Sequence, residues 1–349
     1  MRNIKTQFKL ILVFLVIAFG LSGCIKLPSL VDSSLEVNQD YIGIETENEK
    51  DTVVNLIVSL DNYLESVKHE KPPITIVIDN LSSSWPLSGL NKALVVYEIP
   101  VEADITRLLA VFNQDSLPIK IGPVRSARPY LADLADEYKG LFVHAGGSPH
   151  ALSNIKSGFY NFYNLDEVSG DGIYFWRDTQ RLAPHNLYIL SESIERVIEK
   201  KDLPSEIDDK FLEWEREENL ISLEEVNSSI IKIDYQEPVI WQFDKSMNSY
   251  LRYQENEPFL DEEGQIKSPN IVIQKTEIKI LDAVGRRSIK TIGQGEAFIF
   301  QSGQVIKGSW MKNQATNRTF FYDQMGEKIK FLPGLIWVEI VGENHKIFF

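Results

Sequence analysis

The residues of this chain that could do chemistry crowd between Asp79 and His185. Four stretches carry them: Ile105-Thr106-Arg107, Ile121-Gly122-Pro123-Val124-Arg125-Ser126-Ala127-Arg128-Pro129, His144-Ala145-Gly146-Gly147-Ser148-Pro149-His150 and Arg181-Leu182-Ala183-Pro184-His185-Asn186. Arg107, Arg125 and Arg128 offer planar guanidinium forks that pair bidentately with phosphate or carboxylate. Arg125 and Arg128 stand just before Pro129, and proline suits the first position of a helix. Free backbone N–H groups and the helix dipole favour an anion there. Gly146-Gly147-Ser148 leads from one apolar run into a second helical pattern and is expected to form another nest of N–H groups. The arrangement points to a cleft for an anionic group. The competing reading is that these arginines pair with Glu98, Glu102, Asp104 or Asp133 and hold the domain together.

Asp79, Asn80, Glu98, His144, His185 and Asn186 complete the candidates. His144, His150 and His185 are of a type that binds metals. The six-residue spacing of the first two matches no ligand pattern, however, and satisfied structural histidines are the plainer expectation, so no metal or cofactor is expected. In the C-terminal part Trp241, Trp310 and Trp337, with Tyr250, Tyr253 and Tyr322, could stack on a glycan. Aromatic residues on short strands more often fill a core.

These side chains need elements to hold them. Ile74–Ile78 is a nearly continuous apolar run ending at Asp79-Asn80, as a buried strand ends. Leu94–Val101 and Ile105–Phe112 read as two more strands, with Glu102-Ala103-Asp104 at the turn. Pro118–Val124 reads as a strand, Pro129–Tyr138 as a helix, Leu141–His144 as a strand, Ser148–Lys156 as a helix, and Ser191–Lys201 as a helix with Ser191 at the N-cap. This order indicates an α+β or α/β N-terminal domain with a mixed sheet, over residues 72–205. Residues 206–229 form an acidic connector, and the stretch 191–229 holds thirteen acidic against five basic side chains. From Ile230 to Phe349 short strands predominate: 230–235, 239–243, 250–253, 270–281, 297–301, 319–322 and 336–341. Turns such as Asp282-Ala283-Val284-Gly285 separate them, and a mainly antiparallel all-β domain follows.

The first 24 residues stand apart. Arg2, Lys5 and Lys9 precede an uncharged run from Leu10 to Gly20. A run of about 11 residues is too short to cross a bilayer, which needs roughly 20, but suits the removable core of a signal peptide. Leu21-Ser22-Gly23-Cys24 resembles the bacterial lipobox, which implies cleavage after residue 23 and lipidation of Cys24. Cys24 is the only cysteine of the 349 residues, so the chain cannot form an internal disulfide. Residues 24–71 then form an acidic spacer, with ten acidic and four basic side chains and an apolar periodicity at 53–67. The formal charge of −14 argues against nucleic acid as a partner. The expected place is the outer face of a cell membrane, with the lipid on Cys24 as the membrane contact.

From Pro72 to Phe349 the chain resembles the YerB-like lipoprotein family, a two-domain family of unknown function. The pieces that carry the likeness are Ile78-Asp79-Asn80, Val96-Tyr97-Glu98, Asp104-Ile105-Thr106-Arg107, the run Ile121–Pro129, His144–Ser148 and Ala183-Pro184-His185-Asn186-Leu187-Tyr188. Thr291-Ile292-Gly293-Gln294-Gly295 and Gly308-Ser309-Trp310 add to it in the second domain. The turn Glu102-Ala103-Asp104 departs from the glycine pair that the family pattern leads one to expect. The resemblance implies a lipoprotein address and no reaction. The order of Thr106-Arg107, Pro123-Val124-Arg125-Ser126 and Gly146-Gly147 is also similar to that in the LytR-CpsA-Psr phosphotransferases, which hold a polyprenyl pyrophosphate on arginines. Two readings therefore stand. One is an envelope protein that binds an anionic glycan or wall precursor, a lipid head group or a protein partner. The other is a phosphotransferase or hydrolase acting on glycopolymer or polyprenyl-pyrophosphate precursors. Mg or Mn enters only in the second case, with Asp79 or Glu102 positioning it.

Overall fold

A strand buried on both faces is written as an unbroken apolar run, and three such runs build the centre of the molecule. They are β1 (Ile74–Ile78), β2 (Val95–Pro100) and β3 (Thr106–Phe112), buried at every position. The computed structural model describes residues 71–102, 105–204, 206, 214–217, 227–314 and 317–349, all within the compact unit Val67–Phe349. The leader, Cys24, the spacer with its periodicity at 53–67, Ala103-Asp104 and most of the 206–229 connector lie outside the described residues.

After β3 come β4 (Lys120–Ile121), helix α1 (Pro129–Ala135), β5 (Leu141–His144), helix α2 (Pro149–Lys156), β6 (Tyr163–Asp166), β7 (Phe175–Arg177), β8 (Leu187–Leu190) and helix α3 (Ser191–Lys200). The C-terminal part is β throughout. It runs through β9 (Ile230–Ile233), β10 (Val239–Asp244), β11 (Ser249–Gln254), four two-residue strands β12 to β15 (257–258, 260–261, 264–265, 267–268) and β16 (Asn270–Lys275). The hairpin β17 (Ile278–Ile280) and β18 (Arg287–Ile289) follows, then β19 (Gly293–Gln301), β20 (Gln304–Lys312), β21 (Thr319–Asp323), β22 (Ile336–Val341) and β23 (Ile347–Phe348). A mixed N-terminal sheet with a few helices, followed by a mainly antiparallel β region, is thus what the sequence pattern indicates and what the chain adopts.

The two parts share one ten-stranded sheet, in the order β21-β20-β19-β16-β22-β2-β3-β1-β5-β6. The seam is β22, which runs parallel to both β16 and β2 and sets Ile336 opposite Val95 and Glu339 opposite Glu98. Because side chains alternate across a strand, the sheet feeds two cores. Ile74, Ile76, Ile78, Leu108 and Trp337 face Ile231, Trp241 and Tyr250 of a second sheet built on β9 to β11. Val77, Tyr97, Leu109 and Phe142 face the other way, toward Leu131 and Ala135 of α1 and toward Trp310. Each large aliphatic side chain so buried contributes about 1.5–3 kcal/mol.

Several local expectations are corrected. The strand expected over 118–124 is only Lys120–Ile121. Gly122 takes φ 144°, and a Cβ there would stand 2.9 Å from Leu187 O, so the chain turns at a position only glycine fills and redirects Val124-Arg125 toward β1. Leu190, not Ser191, is the N-cap of α3, because β8 carries extended backbone to Leu190 in register with Lys120. The strand expected over 270–281 breaks after Lys275, where Thr276 N–H donates to Val341 O and Thr276 Oγ1–H to Lys290 O. Trp241, Trp310, Trp337 and Tyr250 are fully buried and cannot stack on a glycan.

Candidate anion-binding site

The segment Pro123–Ala127 is threaded across the carboxyl ends of the parallel strands β1 and β5, the place where open α/β sheets hold ligands. Asp79 N–H donates to Pro123 O (2.9 Å), Arg125 N–H to Val77 O (2.9 Å), and Ala145 N–H to Arg125 O (3.0 Å). Arg125 is therefore pinned by its backbone to the ends of both strands. Asp79 stands where β1 stops, and Arg107 on the neighbouring strand β3.

The side chains converge from these positions. Asp79 is buried, and its Oδ2 accepts from His185 Nδ1 at 2.7 Å. Arg125 Nε lies 3.0 Å from the same oxygen but off the line of its N–H, so this pair attracts by charge without an aligned hydrogen bond. Asp79 Oδ1 accepts from Leu81 N–H at 3.2 Å. Arg128 Nε donates to Glu102 Oε1 at 2.6 Å and its Nη1 to Ala127 O at 2.9 Å. Burial draws the Glu102 carboxyl up, but the bond and charge of Arg128 outweigh it and hold the group below the usual carboxylate range.

Arg107 differs from the other two. It is 7% exposed, and its one hydrogen bond among the described residues runs from Nη1 to Ser126 O at 2.8 Å. Among the described residues no carboxylate pairs with it. Burial first, then the positive charges of Arg128 and Arg125, push its guanidinium down to about 10. Three arginines thus share a site in which two carboxylates, Asp79 and Glu102, face Arg125 and Arg128.

The remaining candidates fall into other surroundings. Gly146 N–H donates to Asp166 Oδ1 (2.6 Å) and Ser148 N–H to Ala127 O (3.1 Å), so two of the three donors of the expected nest are engaged within the protein. Ser148 Oγ accepts from Ala151 N–H as the N-cap of α2, and Gly147 makes a bridge to Ala127. His144 is fully buried, with Nδ1 2.7 Å from Gly146 O and Nε2 2.8 Å from Asn164 Oδ1. Asn186 closes the loop before β8, donating to Asp178 O and Arg181 O and accepting from Arg177. Asn80 and Glu98 lie one layer in. Asn80 Nδ2 donates to Glu98 Oε1, and Glu98 also accepts from Thr106 Oγ1, Trp337 Nε1 and Arg252 Nη2. Among the described residues no group of three His, Cys, Asp or Glu side chains could hold a metal ion.

Two features have no counterpart in the sequence reading. Arg252 is fully buried between the sheets, 3.8 Å from the centre of the Phe259 ring, and pairs with Glu98 at 2.8 Å. The alternation of Tyr250, Arg252 and Gln254 along β11 is the signal that places it inward. Arg286 and Arg287 lie across a cleft of about 850 Å³ from Arg128 and Ser148, with Phe159 and Ile292 among its apolar walls. The adjacent basic pair after the turn at Asp282–Gly285 is the corresponding signal.

The chain and its fold have relatives. Residues 62–204 match the family described as Protein of unknown function (DUF3048) N-terminal domain, and residues 231–338 match its C-terminal domain. The Bacillus subtilis (strain 168) protein named "Putative lipoprotein YerB" is 31% identical over 305 residues, covering 84% of this chain and 89% of that protein. The chain belongs to the YerB-like family. The crystal structure of YerB protein from Bacillus subtilis superposes with a TM-score of 0.69 at 29% identity, covering 81% of this chain and 96% of that one. The YerB-like relative is named a lipoprotein, in keeping with attachment to a membrane. No helix among the described residues is long and apolar enough to cross one.

Proposed function

We propose that this chain is a lipid-anchored envelope protein on the outer face of the cell membrane, and that it binds a phosphate-bearing anion at Arg107, Arg125 and Arg128. The observation that carries this reading is Arg107, a buried cation with one hydrogen bond among the described residues, whose burial and cationic neighbours Arg128 and Arg125 outweigh the charges of Glu102 and Asp79. A buried charge is retained at such a place only when something repays its desolvation, and an anion bridging Arg107 and Arg125 would do so. Wall precursors and anionic glycans carry groups of this kind. The lipid on Cys24 would keep the site close to a membrane-borne ligand.

Inorganic pyrophosphate is the probe. Calorimetric titration of the full chain is expected to show binding that weakens with salt. Arg107→Met is expected to lower the affinity by roughly 10- to 100-fold, since a hydrogen bond to a charged group contributes about 1.5–3 kcal/mol. Equal affinity in parent and variant would overturn the reading.

A further inference from the structure

We propose that Asp79 and His185 form a proton-transfer dyad beside the arginines, and that it hydrolyses a phosphoanhydride held there. This rests on the anion-site reading above. The Asp79 carboxylate is 4% exposed and fixes His185 through Nδ1, so the ring presents its other nitrogen outward as an acceptor. His185 Nε2 has no partner among the described residues. The side chain is 17% exposed, and Nε2 is not among the buried atoms left without a partner, so water and a ligand can reach it.

The loop that carries His185 is held firmly. Arg181 donates to Ser84 O (2.6 Å) and Pro86 O (2.9 Å), Asn186 donates to Asp178 O (3.0 Å), and His185 N–H donates to Leu182 O (3.0 Å). A catalytic imidazole needs such support to keep its aim. Arg125 lies beside the dyad, with Nε 3.0 Å from Asp79 Oδ2 and Nη1 3.4 Å from the carbonyl oxygen of Pro184, the residue before His185. A phosphate on Arg125 therefore lies alongside the imidazole. The fields of Asp79, Arg125 and Arg128 all act on Arg107, so the groups form one site.

The reaction balances with water alone. Nε2 takes a proton from a water molecule as its oxygen bonds to phosphorus. The bridging P–O bond breaks, and the imidazolium returns the proton to the leaving phosphate oxygen. The guanidinium groups neutralise the charge that gathers on the oxygens. His185 is then a catalytic residue and Asp79 a positioning residue.

Phosphate release from saturating inorganic pyrophosphate tests this on the full chain. The parent is expected to turn the probe over. His185→Gln keeps a donor for Asp79 and is expected to bind pyrophosphate as the parent does while releasing phosphate about 10²- to 10⁴-fold more slowly. Exogenous imidazole is expected to restore part of the rate to His185→Gly, which a merely structural histidine would not allow. Asp79→Asn is expected to lower kcat more than it raises KM. Pyrophosphate that binds the parent and stays intact would overturn the dyad and leave the anion site standing. Pyrophosphate that does not bind would overturn both. Turnover by His185→Gln at the parental rate would remove His185 from the chemistry.

Discussion

Arg107 is held where it costs stability. Its guanidinium is out of water, bonded once, and pressed by Arg125 and Arg128. Replacing a poorly compensated buried cation by an apolar side chain of similar length relieves that strain. Arg107→Met is therefore expected to raise the unfolding free energy by about 1 kcal/mol, which is roughly 2 °C in Tm for a unit of this size. Thermal unfolding followed by circular dichroism checks this, and a lower Tm would mean that the guanidinium serves the fold. In the sequence Arg125 and Arg128 stand out among Gly122, Pro123 and Pro129, and Arg107 follows the turn at 102–104. Their partners were legible only in part. Glu102, one of the carboxylates named as a partner from the sequence, takes Arg128 from 26 residues away. Arg125 instead meets Asp79 and, through it, His185, because β1, the 123–127 segment and the loop before β8 meet only in the folded sheet. His144, a candidate by type, is buried with its two nitrogens within hydrogen-bond distance of Gly146 O and Asn164 Oδ1, and no spacing rule shows that.

Between the two sheets the strands carry a charged layer that apolar patterning hides. Glu98 on β2 and Glu339 on β22 stand opposite one another; Arg252 pairs with Glu98, and its charge also acts on Glu339. Burial first, then the neighbouring Glu98 charge, raises the Glu339 carboxyl well above its ordinary range. The fold thus keeps a proton that the unfolded chain gives up. The stability this group contributes is fully present below the unfolded carboxylate range and is lost as pH rises toward the folded value. Glu339→Gln cannot ionise and still accepts from Trp241 or Tyr235. It is expected to be more stable than the parent at pH 7, with the advantage shrinking as pH falls to about 4. Melting curves across that range check it, and an advantage that grows toward acid would contradict it. The elements themselves were unevenly readable. β1, β5 and α2 follow from apolar runs and a proline start. β20 was missed because most of its positions, Lys307 and Gly308 among them, are exposed or half-buried and leave no alternation to read.

At the scale of the molecule, two stretches of sequence with different patterns make one sheet. Patterning shows that each part needs a partner face but cannot show that β22 enters beside β2, since nothing in Ile336–Val341 names its neighbours. Because the seam lies in mid-sheet and both cores cross it, the described unit is expected to unfold in one cooperative step. Two separated calorimetric peaks would contradict this.

The same seam sets the carboxyl ends of β1 and β5 in a fixed frame, and the arginines depend on that frame. The central claim is that an anion belongs among them. A crystal of this chain grown with inorganic pyrophosphate tests it most directly. The expected result is phosphate density bridging Arg107 and Arg125. Density absent from that place under saturating pyrophosphate, with Arg107 still bonded to Ser126 O alone, would contradict it.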